Sequence, residues 1–230
     1  MATTITGTTI DVGPNKLVAN SAGNVGVGTA SPSEKLTIQS GNINFMGGTN
    51  DAQYIKFGDT GDDDIGNIFY YHGNNNMVFT TNASEAMRID AAGIVTKPLQ
   101  PAFHAMSGVG ITNTSTFPVT IVEFSSALLN TGGHYSTTND RFTAPVAGVY
   151  KFSVGFMSNG PIANRFGFFK NGAIQGNVGY AIAAEYQRTS YELCITLAVN
   201  DYVDFRTNIN AGTEGSVHAD YRYFTGYLIG

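Results

Sequence analysis

Strand-like alternation dominates the stretch from Phe124 to Phe156. Apolar and polar residues alternate in a run that ends at Phe124 and in a second run from Val149 to Phe156. A period of two is typical of strands that bury one face. No window of roughly 11 residues or more has a convincing helical period, and only Ala83 to Met87 could form a single helical turn. An all-β protein is therefore predicted.

The composition agrees with an all-β protein that has many turns. Of its 230 residues, 28 are glycine, and the charged share of 13% is about half of the usual one. The 15 Phe and 12 Tyr provide enough apolar surface for a folded core. With a net charge of −5 and no cluster of Lys or Arg, nucleic-acid binding is not expected. No apolar run is long enough for membrane insertion.

Seven residues in and around this stretch are spaced in a specific way. They are Phe124, Asn130, Tyr135, Phe142, Gly148, Tyr150 and Phe152. Their order and intervals resemble the signature of the complement globular-head (C1q-like) domain, and only Val154 stands where that signature has Phe or Tyr. The resemblance runs from Pro101 to Gly230. It implies a ten-stranded jelly-roll sandwich of the C1q and tumour-necrosis-factor class, which assembles as a homotrimer.

Two other segments resemble the shafts of bacteriophage tail fibres. Residues 21–36 are similar to a segment that recurs in these shafts, and residues 87–98 are a weaker copy of it. In both, a strand-like run meets an Ala-Gly turn, then a β-branched pair, then a proline. The resemblance implies a structural protein of a phage virion that attaches to another virion protein through its N-terminus.

The sequence divides into three parts at changes of composition. We expect N-terminal attachment strands in residues 1–30, a small β-rich shaft domain in residues 31–97 and the head in residues 98–230. The last boundary lies at Pro98 and Pro101, because two prolines fix φ and remove two backbone donors. Short strand candidates in the shaft are Leu36–Ile38, Asn42–Met46, Tyr54–Gly58, Asn67–Tyr71 and Met77–Thr81.

The sequence indicates neither catalysis nor a bound cofactor. The acidic segment from Asp59 to Gly66 lacks the spacing of a calcium loop, so we predict a solvated turn and no metal. Gly23 to Gly28 does not match the dinucleotide fingerprint, and the four histidines lack the spacing of a zinc helix. Cys194 stands in an apolar run, which favours a buried thiol. Nothing among the glutamates selects a catalytic pair.

Binding is expected in three long polar connections of the head. Successive connections in an antiparallel sandwich alternate between its two ends. If Pro101 and Gly230 lie at the stalk end, residues 158–165, 181–190 and 206–220 share the far end, and the Asn171-Gly172 turn lies opposite. The predicted receptor-binding residues are Asn159, Asn164, Tyr186, Arg188, Asn208, Asn210, Glu214 and His218.

These observations together predict a trimeric phage fibre that adheres to a bacterial surface glycan or protein, without enzymatic activity. Its location would be the virion, assembled in the host cytoplasm and extracellular when functional; the start of the sequence has no signal-peptide pattern. A capsid head fibre or decoration protein fits the same sequence. A polysaccharide-depolymerising tailspike is the alternative from a different class. A bacterial surface filament is a third, although collagen-like repeats are not present.

Overall fold

The structure is a computed structural model that describes residues 17–107, 120–159, 165–179, 186–208 and 216–230. All regular elements in these ranges are strands, which confirms the all-β prediction. No helix in the described ranges has the length and apolarity that crossing a membrane requires. The chain divides into two compact units, Met1–Ile55 with Phe69–Asn76 and Lys56–Ile68 with Met77–Gly230. The three-part division at residues 30 and 97 stays a prediction.

Within residues 17–100, eight short strands precede the head. They are β1 (Leu17–Ala19), β2 (Val25–Val27), β3 (Leu36–Ile38), β4 (Ala52–Phe57), β5 (Gly66–Tyr71), β6 (Asn76–Thr81), β7 (Ser84–Ile89) and β8 (Val95–Thr96). β1, β2 and β3 form one sheet, in which β2 is antiparallel to β1 and parallel to β3. β4 to β8 form a second sheet in chain order.

Two expectations for this part of the chain are wrong. Residues 83–87 are not a helical turn, because Asn82 and Ala83 have φ values of 50° and 56° and close the tight hairpin between β6 and β7. Positive φ at both central residues is the geometry that suits a two-residue hairpin. The candidate strand Asn42–Met46 is not formed. The other four shaft candidates coincide with or overlap β3, β4, β5 and β6.

Residues 17–100 bury very little apolar surface. Val18 and Val78 are the only buried large hydrophobic side chains that the structure describes there. Nine large hydrophobic residues are instead exposed between β3 and the end of β5: Leu36, Ile43, Phe45, Met46, Tyr54, Ile55, Phe57, Ile65 and Tyr71. A chain that leaves this much apolar surface in water does not offset the conformational entropy of folding. Exposed apolar surface of this extent is typical of interaction surfaces.

The described residues of the head form eleven strands in two sheets, and several of these strands are very short. The strands are β9 (Ala102–Met106), β10 (Thr120–Ile121), β11 (Ser126–Thr131), β12 (Tyr135–Ser136), β13 (Arg141–Thr143), β14 (Gly148–Asn159), β15 (Arg165–Lys170), β16 (Ala173–Gly179), β17 (Arg188–Leu197), β18 (Tyr202–Asn208) and β19 (Ser216–Leu228). One sheet has the order β11-β9-β19-β14-β17. The other has the order β12-β13-β18-β15-β16, with β10 also paired to β18.

Aromatic side chains from both sheets fill the space between them. The rings of Phe103 and Phe142, one from each sheet, stack with their centroids 5.3 Å apart. The aromatic residues at strand spacing in the sequence are predicted to lie in the core, and all but the half-buried Tyr191 are buried: Phe124, Tyr150, Phe152, Phe166, Phe168, Phe205 and Phe224. Alternation along the strands thus identified the inward face correctly. Burial of Phe, Tyr and Val side chains at about 1.5–3 kcal/mol each is the main stabilising contribution of such a core.

The prediction of a buried Cys194 is wrong. β17 lies at the edge of its sheet, and its side chains alternate between exposed and half-buried along the strand. Leu193 and Ile195 face the core, whereas Cys194 shares the outer face with Glu192 and is exposed. The apolar neighbours in sequence belong to the opposite face of the strand, because successive side chains of a strand point in opposite directions.

Candidate binding site at the distal end of the head

The two ends of the head differ in which chain segments reach them. At one end, the Leu228 N–H donates to the Pro101 carbonyl (3.0 Å) and the Val149 N–H donates to the Gly230 carbonyl (2.7 Å). Pro101 and Gly230 therefore lie at the same end of the head. The Asn171 N–H donates to Tyr202 (3.0 Å), which places the Asn171-Gly172 turn at this end too.

The opposite end, called the distal end below, is where the three predicted connections leave the sheets. In the five-stranded sheet, Asn159 at the end of β14 pairs with Ser216 at the start of β19. In the six-stranded sheet, Arg165 at the start of β15 pairs with Asn208 at the end of β18. Contacts between the two sheets near these strand ends include the ring pair Phe156 and Phe166, with centroids 4.4 Å apart. The strands that flank the third connection also end and begin here, because Gly179 of β16 pairs with Phe166 and Arg188 of β17 pairs with Met157.

The strands extend further into these connections than the sequence predicted. Arg206 and Thr207 were expected in an exposed loop, but they belong to β18, where Thr207 pairs with Thr120 of β10. Thr207 is fully buried. Arg206 forms a bidentate ion pair with Asp204, with N–O distances of 2.6 and 2.9 Å. Assigning these two residues to the loop was wrong, because backbone ladder hydrogen bonds do not depend on whether the side chains are polar.

The structure describes only part of the predicted binding set. Tyr186 is exposed and has a φ of 59°, and Arg188 is exposed at the first position of β17. Asn159, Asn208 and His218 lie within β14, β18 and β19. Asn164, Asn210 and Glu214 lie outside the described residues. That any of the eight binds a receptor stays a prediction.

A cleft of about 420 Å³ opens on the outer face of the five-stranded sheet, next to the distal end. This volume falls within the range of roughly 300–1,000 Å³ that small-molecule sites occupy. Three of its lining residues come from adjacent strands that are in register, since Tyr223 of β19 pairs with both Gly155 of β14 and Met106 of β9. Arg188 lies next to them because it pairs with Met157, two residues before the end of β14.

Aromatic and cationic side chains form the walls of this cleft. The Arg188 guanidinium carbon lies 6.0 Å from the centroid of the Tyr221 ring. The His104 and Tyr223 rings meet edge to face, with their centroids 6.2 Å apart. Tyr221 and Tyr223 are 49% and 36% exposed. No Asp or Glu is present among the described residues that line the cleft.

A separate polar cluster lies inside the sandwich near the same end. Arg222 is 1% exposed, and its guanidinium carbon lies 6.0 Å from the centroid of the Phe124 ring. The Asp140 carboxylate accepts a hydrogen bond of 2.8 Å from the Phe124 N–H. Burial raises the pKa of both Asp140 and Tyr135, and the positive charge of Arg222 opposes this in each case. Arg222 is also among the residues that line the cleft.

Of the residues that form the cleft, the sequence had selected only Arg188. His104, Tyr221 and Tyr223 were missed. The signal for the tyrosines was the period-two spacing in β19, where Tyr221 and Tyr223 alternate with the buried Arg222 and Phe224. That spacing places both tyrosines on the outer face, but the position of Arg188 beside them follows only from the register of β14 with β17 and β19.

The Asp62, Asp63 and Asp64 carboxylates in the turn between β4 and β5 lie within 4.8 Å of one another. All three side chains are exposed. Within the same turn, the backbone N–H groups of Gly61 and Asp62 donate hydrogen bonds to the Asp59 carboxylate. These bonds lower the pKa of Asp59, that from Gly61 contributing most. The turn is thus stabilised by its own backbone contacts.

Comparison with known proteins identifies the head. No curated protein matches the chain. Similar solved structures include the globular domain of zebrafish complement 1qA protein (22% identity, 57% of this chain and 98% of that one, TM-score 0.43). Others are Eiger TNF from S. frugiperda (13%, 57% and 93%, 0.39) and murine APRIL (12%, 56% and 99%, 0.41). The C1q domain matches residues 102–229, more than half of the 230 residues. The chain belongs to the C1q domain family.

Proposed function

We propose that the chain is the protomer of a homotrimeric phage virion fibre, which adheres to a bacterial surface through the distal end of its head. The observation that carries the proposal is the polarity of the head. Pro101 and Gly230 lie at one end of it, whereas the strand ends that flank the polar connections 158–165 and 206–220 lie at the opposite end. A head attached at one end and open for binding at the other suits an adhesive fibre.

The exposed apolar residues between Leu36 and Tyr71 support self-assembly. They need cover, and further copies of the same chain provide it without any other partner. The C1q domain family often forms trimers and binds ligands. Three-fold assembly also multiplies a weak contact at each head, because linked binding events raise the overall affinity by about 10²–10⁴-fold.

The cleft favours adhesion over cleavage of a surface polysaccharide. Glycoside hydrolysis generally uses two carboxyl groups on either side of the scissile bond, and the described lining of the cleft contains no carboxylate. C1q-like and TNF-like families are typically non-enzymatic. The resemblance of residues 21–36 to phage fibre shafts supports a location in the virion and attachment through the N-terminal strands to another virion protein.

Antibody labelling in electron microscopy tests the proposal on purified phage particles. We expect label at the free ends of tail fibres. Label on the capsid would instead indicate a head fibre or decoration protein, and no label on any particle would overturn the virion proposal. Light scattering of the purified protein should give three times the chain mass. Release of reducing ends from host polysaccharide would contradict a purely adhesive role.

A further inference from the structure

We propose that Asn171 is a site of spontaneous deamidation, and that the Asp201 carboxylate holds its amide in an unreactive position. Asn171 and Gly172 form the two-residue turn between β15 and β16, with φ values of 50° and 81°. Asn-Gly is the dipeptide most prone to this reaction, because glycine has no side chain that shields its backbone nitrogen. Both residues are exposed, so water reaches the turn. The chemistry does not depend on the proposed adhesive function.

Deamidation begins when the backbone nitrogen of Gly172 attacks the Cγ atom of Asn171. A carbon–nitrogen bond forms and closes a five-membered succinimide ring. The proton of the attacking nitrogen passes through solvent to the side-chain amide, which leaves as ammonia. Water then opens the ring at one of its two carbonyl groups and gives aspartate or isoaspartate. Water is the only reactant besides the chain itself.

In the folded head, both polar atoms of the Asn171 amide are bound to another part of the chain. Nδ2 donates to the Asp201 carboxylate (2.6 Å), and Oδ1 accepts from the Tyr202 N–H (2.9 Å). The Asn171 N–H also donates to the Tyr202 carbonyl (3.0 Å). Ring closure turns the Cγ atom towards the Gly172 nitrogen and changes it from planar to tetrahedral. Both side-chain bonds must loosen before this can happen.

Asp201 is itself fixed in place and ionised. Its carboxylate accepts from the Ala198 N–H (2.7 Å) and pairs with the Lys170 ammonium (2.7 Å), and its side chain is 14% exposed. The contact with Lys170, followed by those with Asn171 and Ala198, lowers the pKa of Asp201 to about 2. At neutral pH the bond to the Asn171 amide is therefore charge-assisted, which makes it stronger than a bond between neutral groups.

The product of deamidation does not fit the same position. The amide nitrogen that leaves is the atom 2.6 Å from an Asp201 oxygen. In aspartate a carboxylate oxygen takes its place, and two carboxylates that share a site disfavour each other's ionised form. Isoaspartate instead adds a methylene group to the backbone of a two-residue turn, whose geometry is narrowly defined. Deamidation thus replaces an attraction between Asn171 and Asp201 by repulsion, and it is irreversible.

Peptide mass spectrometry of the full chain, incubated at mildly alkaline pH, tests the proposal. The gain of one mass unit at residue 171 measures the rate, and the same chain unfolded in concentrated urea provides the reference rate for the same dipeptide. We expect the folded chain to deamidate about ten- to hundredfold more slowly at Asn171, the scale of one charge-assisted hydrogen bond. Equal rates in the folded and unfolded chain would overturn the proposal.

Substitution of Asp201 separates its effect from the general rigidity of the fold. At a temperature at which the variant is folded, Asp201→Ala should deamidate at Asn171 about tenfold faster than the unmodified protein. Asp201→Asn keeps an acceptor without the charge and should have an intermediate rate; it decides the question if D201A does not fold. An unchanged rate in the folded Asp201 variants would refute the proposal.

Lys170→Ala is the matched control. It removes the other partner of the same carboxylate but leaves Asp201 within reach of the Asn171 amide. We expect K170A to deamidate as slowly as the unmodified protein, and equal acceleration in K170A and D201A would contradict a specific role of the bond between Asn171 and Asp201.

Two further variants test the effect of the product. Asn171→Asp reproduces the aspartate, and Asn171→Ser removes the amide without adding a charge. At neutral pH, N171D should melt at a lower temperature than N171S. Equal melting temperatures would contradict the proposed repulsion between the new carboxylate and Asp201.

Discussion

The ring of Tyr223 lies across Gly155, its partner in the neighbouring strand. A Cβ atom at Gly155 would stand 2.6 Å from the Cζ atom of that ring, which is closer than van der Waals contact allows. The missing side chain lets the tyrosine lie flat against the sheet and form one wall of the cleft. Gly226 plays a corresponding part on the inner face of the same sheet, where a Cβ would stand 2.5 Å from a Phe152 ring carbon.

Gly155→Ala should alter the cleft without unfolding the head. Tyr223 is 36% exposed, so its ring can rotate towards solvent when a methyl group is added beneath it. We expect the free energy of unfolding to change by less than about 1 kcal/mol. Thermal denaturation checks this expectation. A loss of stability as large as that of Gly226→Ala would show that the Tyr223 ring cannot move aside.

Gly226→Ala should destabilise the head. The added methyl group would meet the rings of Phe152 and Phe103, which are packed in the core and have no free space to move into. Overpacking of this kind typically costs about 1–3 kcal/mol. The melting temperature should therefore drop well below that of Gly155→Ala. A variant as stable as the unmodified protein would mean that the core near Gly226 is looser than the structure indicates.

The core and the cleft differ in how far the sequence predicts them. Phe152 and Phe224 could be assigned to the core because period-two alternation is a local property of each strand. The cleft depends on which strands are neighbours and in which register. Met106, Gly155, Arg188 and Tyr223 are scattered over more than a hundred residues, and only the pairings of β14 with β17 and of β19 with β9 and β14 bring them together.

Strand ends were the least predictable feature, for a related reason. Thr207 looks like a loop residue because it is polar and stands beside Asn208, yet its backbone continues the ladder with Phe166 and Thr120. Cys194 was misplaced because apolar neighbours in sequence were taken as evidence of burial. At an edge strand, the face on which a residue lies decides its exposure, and Cys194 shares the face of Glu192.

Asp201 should make the head more sensitive to acid. Its carboxylate accepts hydrogen bonds from Asn171 Nδ2 (2.6 Å) and the Ala198 N–H (2.7 Å), and it pairs with Lys170 (2.7 Å). These contacts, that with Lys170 first, lower the pKa of Asp201 from 3.8 to about 2. A carboxyl group whose pKa is lower in the folded state stabilises the fold above pH 4 and loses that contribution as the pH falls towards 2.

The variant Asp201→Asn tests this pH dependence. The difference in melting temperature between the unmodified protein and D201N should be largest near neutral pH and shrink between pH 4 and pH 2. Asp63→Asn, a change at an exposed carboxylate of the turn between β4 and β5, controls for the loss of one negative charge. A difference that stays constant from pH 7 to pH 2 would contradict the assigned role of Asp201.

Phe57 should contribute to assembly rather than to the stability of a single chain. It lies in β4 and is 56% exposed. A substitution at such a position in a monomer usually changes stability by at most about 0.5 kcal/mol. If copies of the chain cover it, Phe57→Ser should shift the light-scattering mass of diluted protein from trimer towards monomer and make the melting temperature depend on concentration.

Lys56→Ser is the matched control for Phe57→Ser. Lys56 precedes Phe57 in β4 and points to the other face of the strand, where it forms an exposed ion pair with Asp64 at 3.4 Å. Exposed pairs of this kind contribute roughly 0–1 kcal/mol. We expect K56S to remain trimeric at dilutions at which F57S dissociates. Equal dissociation of the two variants would contradict a specific role of the aromatic side chain.

Asn130 explains why one position of the C1q-like spacing needs an amide. Its Nδ2 donates to the Tyr135 carbonyl (2.8 Å), and its Oδ1 accepts from the Tyr135 N–H (3.0 Å). The side-chain amide thus bonds both backbone groups of Tyr135, as the backbone of a neighbouring strand does, and closes the turn between β11 and β12. Gly132 and Gly133 within this turn have φ values of 76° and 73°, which favour glycine.

Replacing Asn130 tests this account, because an amide is the only small side chain that both donates and accepts in this way. Asn130→Ala removes both bonds and leaves two backbone groups of Tyr135 without them, at a cost of about 1–3 kcal/mol. Asn130→Asp keeps the acceptor but places a carboxylate against the Tyr135 carbonyl, so it should also destabilise the head at neutral pH. Urea denaturation followed by circular dichroism measures both midpoints. Asn139→Ala, at an exposed position before β13, should leave the midpoint unchanged; an equal effect in N130A and N139A would refute the role of Asn130.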